Sequence, residues 1–367
     1  MAEGVDSLTQ SGSCTGTVIR ARAPLRISFG GGGTDVPPYC DERRGAVLSA
    51  AINRYAWATL TAGGDKLLVR SIDYDTSVSY SVDEDFVYDG QLDLAKGVLE
   101  HFREQNRLRD GLEIVLHNDA PPGSGLGSSS AITVALVAVV AEYLRLPMDS
   151  YQLASLAYDI ERHRVGIQGG KQDQYAAAFG GFNFLEFYEG RTVVNPLRLR
   201  DETICELEYC LVFAYVGGQR LSSRIIEKQV ENYRQGVADS VRAMDELAEM
   251  AILMKEALLL GRVHDLGGLL DAAWASKKRM AQGISNPFID KLYHEARQAG
   301  ALGGKISGAG GGGFMFFFCD PRRRFAVQDQ LRQLGAQPVN LGFVEGGCRT
   351  WRTGPSGDSP RKQSSAL

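Results

Sequence analysis

The chain has 367 residues, a formal net charge of −4 and 44% hydrophobic residues, values typical of a soluble globular protein of one or two domains. It contains no long basic run, which argues against nucleic acid or an anionic membrane surface as its main partner. The N-terminus lacks a signal-peptide layout, and the longest apolar run, residues 131–141, is far shorter than the ~20 residues that span a bilayer. The six cysteines are scattered without a Cys-x-x-Cys pair, which indicates neither a disulfide framework nor a metal site and fits a reducing cytoplasm.

The first part of the chain favours β structure interrupted by one helix, which is predicted at about residues 91–107. Strands are predicted in VIRARAPLRISF, AVLSAAINRYAWATLT, KLLVRSID, SVSYSV and LEIVLHN. Two helices follow at residues 131–144 and 151–164, and Asp149 is the expected N-cap of the second. The segments GGFNFLEF and RTVVNPL then predict a hairpin.

The character of the chain changes near Arg200. A buried strand is predicted in EYCLVFAYVG, followed by helices between residues 221 and 280 and at 286–299. The strands GGKISGA and GGFMFFFC, a helix at 324–334 and a strand in CRTW complete the pattern. This segregation of strands and helices indicates an α+β fold, with one domain at 17–200 and another at 201–352. Residues 1–16 and 353–367 are predicted to be disordered tails.

A glycine-rich segment, PPGSGLGSSSA, stands directly before the apolar helix at residues 131–144. A turn of this kind leaves backbone N–H groups unpaired at a helix start, where they and the helix dipole attract an anion. The predicted phosphate cradle consists of Pro122, Gly123, Ser124, Gly125, Leu126, Gly127, Ser128, Ser129 and Ser130. A simple loop that caps the helix is the alternative.

The familiar nucleotide motifs do not account for this segment. In GGKIS, Ile306 occupies the position where a P-loop needs a hydroxyl. Gly308, Gly310 and Gly313 have Rossmann spacing but lead into a strand instead of a helix. Two further glycine-rich segments, APLRISFGGGGTDVPPY and GGKISGAGGGGFMFF, suggest that three parts of the backbone gather around one anionic ligand.

These three segments resemble the conserved motifs of the GHMP kinases, which include galactokinase, homoserine kinase and mevalonate kinase. PLRISFGGGGTDVPPY is similar to the first motif of the sugar-kinase branch, PPGSGLGSSSA to the phosphate-binding motif, and KISGAGGGGF to the third motif. Within the family, GGKQDQYAAAFGGFNFLEF resembles kinases of D-glycero-D-manno-heptose 7-phosphate. The resemblance implies a ribosomal-protein-S5-like N-terminal domain and a ferredoxin-like C-terminal α/β sandwich.

The resemblance also implies roles for individual residues. It implies that Asp173 in KQDQY is the catalytic aspartate, and that Ser129 and Glu161 are ligands of a Mg²⁺ ion that accompanies ATP. Arg26 matches an arginine of the galactokinase motif and is expected to neutralise phosphoryl charge or to keep Asp173 ionised. A surface ion pair of Glu161 with Arg162 or Arg164, and a helix-dipole role for Asp173, remain alternatives.

The acceptor sugar is expected to contact the first and third motifs. Asp35 matches the sugar-binding aspartate of galactokinases, and the other expected contacts are Gly31, Gly32, Gly33, Thr34, Gly310 and Gly311. Galactokinases carry Glu-His where this chain has Gly32 and Gly33, a difference that is expected to make room for another sugar. Arg220 and Arg224, spaced with Lys228 along one helix face, are predicted to bind a phosphate on the acceptor unless that face is merely solvated.

The resulting hypothesis is a cytoplasmic, ATP-dependent kinase of the anomeric hydroxyl of D-glycero-D-manno-heptose 7-phosphate. By resemblance, its 1,7-bisphosphate product would feed GDP-heptose and surface polysaccharide. The expected ligands are the sugar phosphate, ATP and Mg²⁺, with no nucleic acid or membrane partner, and a homodimer is left open. An L-fucokinase-like sugar 1-kinase and a non-catalytic ATP- and sugar-binding sensor are the alternatives.

Overall fold

The computed structural model of the chain describes residues 17–105, 107–218 and 222–353. The predicted tail at 1–16, and the one at 353–367 apart from Thr353, lie outside these residues. The described chain forms two sheets flanked by helices, which agrees with the predicted α+β class. Each of its helices is too short or too polar to cross a bilayer.

The first sheet has eight strands, and its longest strand, β2, pairs with three neighbours. Its members are β1 (Val18–Gly30), β2 (Gly45–Ala62), β3 (Lys66–Ser71), β4 (Thr76–Ser81), β5 (Leu112–Asn118), β6 (Phe182–Tyr188), β7 (Arg191–Pro196) and β12 (Arg349–Thr353). The main order is β12-β1-β2-β5-β3-β4, while β6 pairs with β2 and β7. Strands β6 and β7 form the predicted hairpin, because Asn183–Tyr188 runs antiparallel to Arg191–Pro196.

The helices of the first domain cover this sheet. They are α1 (Asp93–Glu104), α2 (Ser128–Tyr143), α3 (Ser150–Asp159) and α4 (Gln172–Phe179), with a π-helical turn at Ile160–Arg164 after α3. Helix α2 is apolar on all sides and is buried against β1 and β2, as expected for a helix without a polar face. Asp149 caps α3 as predicted, since its carboxylate accepts from Gln152 N and the Gln152 side chain bonds back.

The second domain contains a four-stranded antiparallel sheet of order β11-β8-β10-β9, with helices packed against it. The strands are β8 (Leu211–Gly217), β9 (Ala301–Ile306), β10 (Gly313–Cys319) and β11 (Gln337–Val339). The helices described in this part of the chain are α5 (Asp201–Cys210), α6 (Ser222–Arg234), α7 (Ala238–Leu259), α8 (Asp265–Met280), α9 (Pro287–Ala299) and α10 (Arg324–Gln333).

Two sequence predictions need correction. Helix α5 was missed, and it contains the first residues of the segment predicted as a strand, although Thr203, Leu207 and Cys210 form a buried face at helical spacing. The strand predicted at the end of the second domain, 201–352, also joins a different sheet than expected, because β12 pairs antiparallel with β1 of the first sheet. Residues 349–353 therefore pair with the backbone groups of β1 that would otherwise form an open edge of the first sheet.

We expect strand β12 to be required for the stability of the first domain. Truncation after Cys348 removes five paired positions on β1, and at ~0.2–1 kcal/mol for each cross-strand pair it should lower the free energy of unfolding by ~1–5 kcal/mol. Truncation after Thr353 keeps β12 and is the matched control. Denaturant unfolding of both proteins measures the difference, and equal stability would contradict a structural role for β12.

Candidate active site

Residues 122–130 are here called the phosphate loop. The three glycines of this loop share one backbone conformation. Gly123, Gly125 and Gly127 have φ angles of 73°, 75° and 77°, in the left-handed region that other residues rarely adopt. Gly127 is the N-cap of α2 and carries no side chain that could bond the first N–H groups of the helix. The loop therefore presents the N-terminus of α2, with Ser128 and Ser129, to a cavity.

The three glycine-rich segments meet at this loop. From the first segment, Arg26 N donates to the Leu126 carbonyl at 3.0 Å, and from the third, Phe314 N donates to the Ser124 carbonyl at 2.9 Å. The Ser307 hydroxyl donates to the Gly125 carbonyl at 3.0 Å. A Cβ on Gly125 would overlap the Ser307 carbonyl, so this approach requires glycine. The expected convergence of the three segments is observed.

A buried ion pair stands beside the loop. The Nε of Arg26 donates to Asp173 Oδ1 at 2.7 Å, and its second guanidinium nitrogen lies 2.5 Å from the same oxygen. The remaining nitrogen of Arg26 donates to the Gly125 carbonyl at 2.7 Å. Asp173 is the second residue of α4, where its carboxylate complements the dipole of the helix N-terminus as well as the charge of Arg26. Its helix-dipole role and its pairing with Arg26 therefore coexist.

A cavity of about 290 Å³ adjoins the ion pair and the phosphate loop. Its walls come from both domains, with Ser223 and Ile226 of α6 and Ala309 of the third segment facing residues of the first domain. The charged and amide side chains that line it are Arg26, Asp35, Glu161, Arg162, Gln168, Gln172, Asp173, Gln229 and Lys277. A ligand in this cavity would touch both domains.

Glu161 lies in the cavity wall but is not the surface residue of the alternative interpretation, because only 2% of its side chain is exposed. Its Oε2 accepts from the Ser130 hydroxyl at 2.8 Å and from the Gln174 amide at 2.6 Å. Its Oε1 lies 3.1 Å from the Arg162 guanidinium. A lone pair on Oε1 remains for a further ligand. Ser129 lines the same cavity, so the two residues offer hard oxygen ligands of the kind that Mg²⁺ prefers.

The carboxylate of Asp35 accepts three hydrogen bonds from within the protein. Its Oδ1 accepts from Gly33 N at 2.9 Å and from the Gln172 amide at 3.0 Å, and its Oδ2 accepts from Gln172 N at 3.1 Å. These bonds join the first glycine-rich segment to the N-terminus of α4, one residue before Asp173. Asp35 thus orients the Asp173 helix and, with three hydrogen bonds accepted, keeps a lone pair on Oδ2 for a sugar hydroxyl.

The side chain of the neighbouring Thr34 bonds only to backbone groups of the protein among the described residues. It is fully buried, and its hydroxyl bonds the carbonyls of Gly31 and Ala46 and accepts from Ala46 N. Gly31 itself packs directly on the Ala46 carbonyl. These two residues hold the first segment on β2, which leaves their predicted role in sugar binding without a free polar side-chain group to support it.

The space beside Gly33 is filled from the second domain. A Cβ at this position would lie 3.0 Å from Lys277 Nζ, 3.0 Å from Gln229 Oε1 and 2.7 Å from the Met280 methyl. The Gln229 amide donates to the Gly33 carbonyl at 2.7 Å, and Lys277 Nζ donates to the Gly32 carbonyl at 2.6 Å. The expectation that two glycines simply make room for a sugar is therefore wrong at Gly33, where side chains of α6 and α8 occupy that room.

Two lysines near this segment are buried. Burial lowers the pKa of Lys277 to about 8, an effect that Asp35 opposes and Arg26 reinforces. Burial also lowers the pKa of Lys305 well below its usual range, and the charges of Lys277 and Arg26 add to the effect. Lys305 donates to the Ser28 carbonyl at 2.7 Å and does not line the cavity.

The remaining predicted sugar contacts that the structure describes do not line the cavity. Gly310 packs against Ile284, and Gly311 N donates to the Ile284 carbonyl, whereas Gly308 and Ala309 line the cavity. Arg220 lies outside the described residues. Arg224 is exposed on α6 and absent from the cavity wall.

The helix face predicted to bind a phosphate is thus turned away from the cavity. Ser223, Ile226 and Gln229 of α6 line the cavity instead, and Lys228 pairs with Glu231. Of the predicted group, Arg224 and Lys228 are described and both are exposed on α6, whereas the residues of α6 that line the cavity lie on another face.

A larger cavity of about 500 Å³ shares Gly123, Ser128 and Ser129 with the first. Its walls also include Tyr74 and Leu92, together with the apolar side chain of Ile132 on α2. The phosphate loop therefore separates a mostly apolar cavity from a polar one. The sequence indicated no residue of this apolar wall, because single side chains brought together from β3–β4, α1 and α2 leave no local motif.

Sequence reasoning also missed Gln172, Gln229 and Arg162 as cavity residues. The first of them is adjacent to Asp173 in KQDQY, which was a usable signal. Lys277 belongs to the basic run Lys277–Arg279, but spacing alone does not tell which of three consecutive basic residues points inward. In the structure Lys277 is 3% exposed, while Lys278 and Arg279 form outward ion pairs.

Comparison with known proteins agrees with this architecture. The family model described as GHMP kinases N terminal domain matches residues 93–181, and that described as GHMP kinases C terminal matches residues 254–337. A protein of Campylobacter jejuni named D-glycero-alpha-D-manno-heptose 7-phosphate kinase is 40% identical over 341 residues, which cover 91% of this chain and 99% of that protein.

Two further relatives extend the comparison. The crystal structure of a D-glycero-D-manno-heptose 1-phosphate kinase from Bacteroides thetaiotaomicron superposes with a TM-score of 0.76 and 34% identity, covering 91% of this chain and 98% of that one. A bifunctional fucokinase/GDP-fucose pyrophosphorylase of Arabidopsis thaliana is 29% identical over 80% of this chain, which spans only 29% of that longer protein.

The contact between the phosphate loop and Ser307 can be tested by stability measurements. Gly123→Ala and Gly125→Ala both force alanine into the left-handed region, at ~1–2 kcal/mol each. Position 123 has open space around a Cβ, whereas at position 125 the Cβ meets backbone, which should cost a further ~1–3 kcal/mol. Denaturant unfolding of the two variants measures the difference, and an equal loss in both would contradict the close approach.

Proposed function

The chain belongs to the GHMP kinase family, and we propose that within it the protein phosphorylates the anomeric hydroxyl of D-glycero-D-manno-heptose 7-phosphate. In the proposed reaction, the O1 oxygen of the sugar forms a bond to the γ-phosphorus of ATP while the bond to the β-γ bridging oxygen breaks. The products are heptose 1,7-bisphosphate, ADP and the proton of the hydroxyl. By resemblance to the family, this product would serve nucleotide-activated heptose synthesis.

The observation that carries this proposal is the Arg26–Asp173 pair at the junction of the phosphate loop and the polar cavity. An acceptor hydroxyl in the cavity would find the Asp173 carboxylate as its hydrogen-bond acceptor. An ionised aspartate is a weak base, so it would mainly orient the hydroxyl and take its proton late in the transfer. Arg26 holds the Asp173 carboxylate by direct contact and would offer positive charge close to the transferred group.

We assign ATP to the two cavities and the loop between them. The larger, mostly apolar cavity suits adenosine, and the N-terminus of α2 suits the phosphates. The γ-phosphate would then face the polar cavity across Gly127, whose Cβ position is 3.3 Å from the Asp173 carboxyl carbon. This arrangement brings donor and acceptor together without a nucleotide motif of the P-loop or Rossmann type.

We propose Ser129 and Glu161 as the protein ligands of a Mg²⁺ ion that accompanies ATP. Their oxygens suit the ion, since one is a hydroxyl and the other a buried carboxylate with a lone pair available on Oε1. Bound there, Mg²⁺ would neutralise negative charge on the phosphates. Ser130, Gln174 and Arg162 hold the carboxylate in place.

The choice of a heptose phosphate rests on the two relatives whose names include that sugar. Those names differ in the phosphate position, 7 in one and 1 in the other, so the acceptor panel must contain both monophosphates. We keep Asp35 and Gly33, which line the cavity, as residues around the sugar, and we add Ala309. The other predicted sugar contacts stay predictions: Gly31, Gly32, Thr34, Gly310 and Gly311. Arg220 and Arg224 remain predicted phosphate ligands, although the exposure of Arg224 does not favour it.

An L-fucokinase-like activity is the second candidate, because a fucokinase-containing protein is 29% identical over 80% of the chain. A non-catalytic sensor would need no ion pair between a buried arginine and an aspartate at the phosphate loop. The Arg26–Asp173 pair therefore argues against that alternative. We place the protein in the cytoplasm, where ATP is supplied and its free cysteines stay reduced. A homodimer stays a prediction.

The proposed activity is tested by ADP release over a panel of heptose 7-phosphate, heptose 1-phosphate, unphosphorylated heptose and L-fucose. We expect the highest kcat/KM with heptose 7-phosphate. Asp173→Asn should lower kcat by ~10²–10⁴ while ATP affinity stays near wild type, because the loop is unchanged. Asp65→Asn, an exposed substitution, is the control. Preference for L-fucose would support the second candidate, and full activity of Asp173→Asn would refute its assigned role.

The proposed metal site is tested by a Mg²⁺ titration of turnover. Glu161→Gln keeps the shape of the side chain and removes its charge, so half-maximal activity should require at least ~10-fold more Mg²⁺. Glu113→Gln removes a carboxylate from the surface of β5 and should leave the titration unchanged. A folded Glu161→Gln enzyme with a wild-type titration would show that the metal is bound by other residues.

A further inference from the structure

Lys277 is a buried cation contributed to the polar cavity by the second domain. It lies in the last turn of α8, its side chain lines the cavity that contains Asp173, and its Nζ donates to the Gly32 carbonyl at 2.6 Å. The adjacent Lys278 and Arg279 have acidic partners outside the cavity, Asp290 and Asp239. Only the first residue of this basic run therefore faces the space between the two domains.

The ammonium of Lys277 retains unused hydrogen-bonding capacity. It has three N–H donors, and in the described part of the chain the Gly32 carbonyl is its one hydrogen-bond acceptor. The two other cations in the cavity wall are already paired, Arg26 with Asp173 and Arg162 with Glu161. Lysine is seldom buried without a carboxylate partner, because the charge loses its hydration. A ligand would supply the missing acceptors.

Nearby polar atoms indicate the chemical class of that ligand. The Gln172 Oε1 is buried and accepts no hydrogen bond, and the Arg162 Nε is buried and donates none among the residues described. Both side chains line the cavity with Lys277. Besides Lys277, the residues that line the cavity thus include one with an unpaired donor and one with an unpaired acceptor. A hydroxyl group both donates and accepts, so a polyhydroxy compound matches this set better than an apolar ligand or a simple anion.

The position of Lys277 relative to the first glycine-rich segment strengthens the argument. Its Nζ lies 3.0 Å from the place that a Cβ on Gly33 would occupy. The segment itself presents no side chain at positions 32 and 33, and Asp35 is occupied by bonds to Gly33 and Gln172. Lys277 and Gln229 therefore provide the polar groups on the side of the cavity where the segment has none.

We propose that Lys277 is a substrate-binding residue whose ammonium donates hydrogen bonds to the hydroxyl oxygens of the acceptor sugar from the wall formed by α8. The proposal rests on the proposed sugar kinase function and names a residue that sets acceptor affinity. It also makes acceptor binding depend on contact between the two domains, because α8 belongs to the second domain and Asp173 to the first.

The protonation of Lys277 gives this role a pH signature. Burial lowers the pKa of Lys277 to about 8 in the free protein, with Asp35 raising it and Arg26 lowering it. Burial, together with the charges of Lys277 and Arg26, also lowers the pKa of the nearby Lys305 well below its usual range. The ammonium of Lys277 is thus present at neutral pH and lost as the pH rises through about 8. Acceptor binding should weaken over the same interval.

The experiment compares Lys277→Met with Lys278→Met, a matched control on the exposed neighbour. Hydrogen bonds from a charged donor predict a rise of about 10- to 100-fold in KM for the acceptor in Lys277→Met. KM for ATP should stay near wild type, because Lys277 is not part of the phosphate loop. The wild-type KM for the acceptor should rise above pH 8, and the variant should lack this rise. Lys278→Met should behave as wild type in each measurement.

The melting temperature separates binding from a purely structural role. Lys277→Met removes a buried charge that has no ion-pair partner, so the melting temperature should be unchanged or higher. If Lys277 served only to support Gly32, the variant would melt lower, and KM for ATP and kcat would change together with KM for the acceptor. That pattern, or an unchanged KM for the acceptor in a folded variant, would overturn the inference.

The proposed function and this inference fail in different ways. If the wild type prefers another sugar of the panel, the proposed substrate is wrong, and the Lys277 comparison is made with the preferred sugar. If the wild type has no turnover, calorimetric titration with each sugar in the presence of a non-hydrolysable ATP analogue measures the same loss of affinity in Lys277→Met. A wild-type protein that binds none of the sugars contradicts both.

Discussion

The side chain of Arg26 is the interaction on which the site depends. One buried guanidinium joins β1 to Asp173 on α4, to the Gly125 carbonyl of the phosphate loop and, at 3.4 Å, to the Ser307 hydroxyl of the third glycine-rich segment. Burial of the Arg26 guanidinium is favourable only when its donors find acceptors. The packing of β1, α4, the phosphate loop and the third segment is therefore coupled. The same contacts that complete the fold therefore set the distance between loop and carboxylate before any ligand binds.

Glycine makes this convergence possible, and the second domain completes it. The phosphate loop can lie against the third segment because position 125 has no Cβ, and α8 can approach the first segment because position 33 has none. Side chains of α6 and α8 then fill the space that the glycines leave. The polar cavity is consequently formed at the interface between the domains, where Gln229 and Lys277 lie opposite glycines of the first segment.

Two direct ion pairs lie in the cavity wall, Arg26 with Asp173 and Arg162 with Glu161. Among the described residues, Lys277 and Asp35 line the same cavity without a direct ion-pair partner. Asp35 interacts electrostatically with Lys277, but its carboxylate oxygens accept hydrogen bonds from Gly33 and Gln172. This arrangement separates residues that hold reacting groups in place from the lysine that keeps donors for a ligand.

The sequence by itself determined the family, the three glycine-rich segments and most helices and strands, whereas the importance of Arg26 and Asp173 was implied only by the family resemblance. These features are local, since periodicity, capping by Asp149 and turn glycines act within a few residues of chain. The tertiary structure alone decided that β12 returns to β1, that Asp35 orients α4, and that Lys277 instead of Arg224 lines the cavity. Each of these depends on which face packs against a distant segment, and short-range spacing carries no information about that partner.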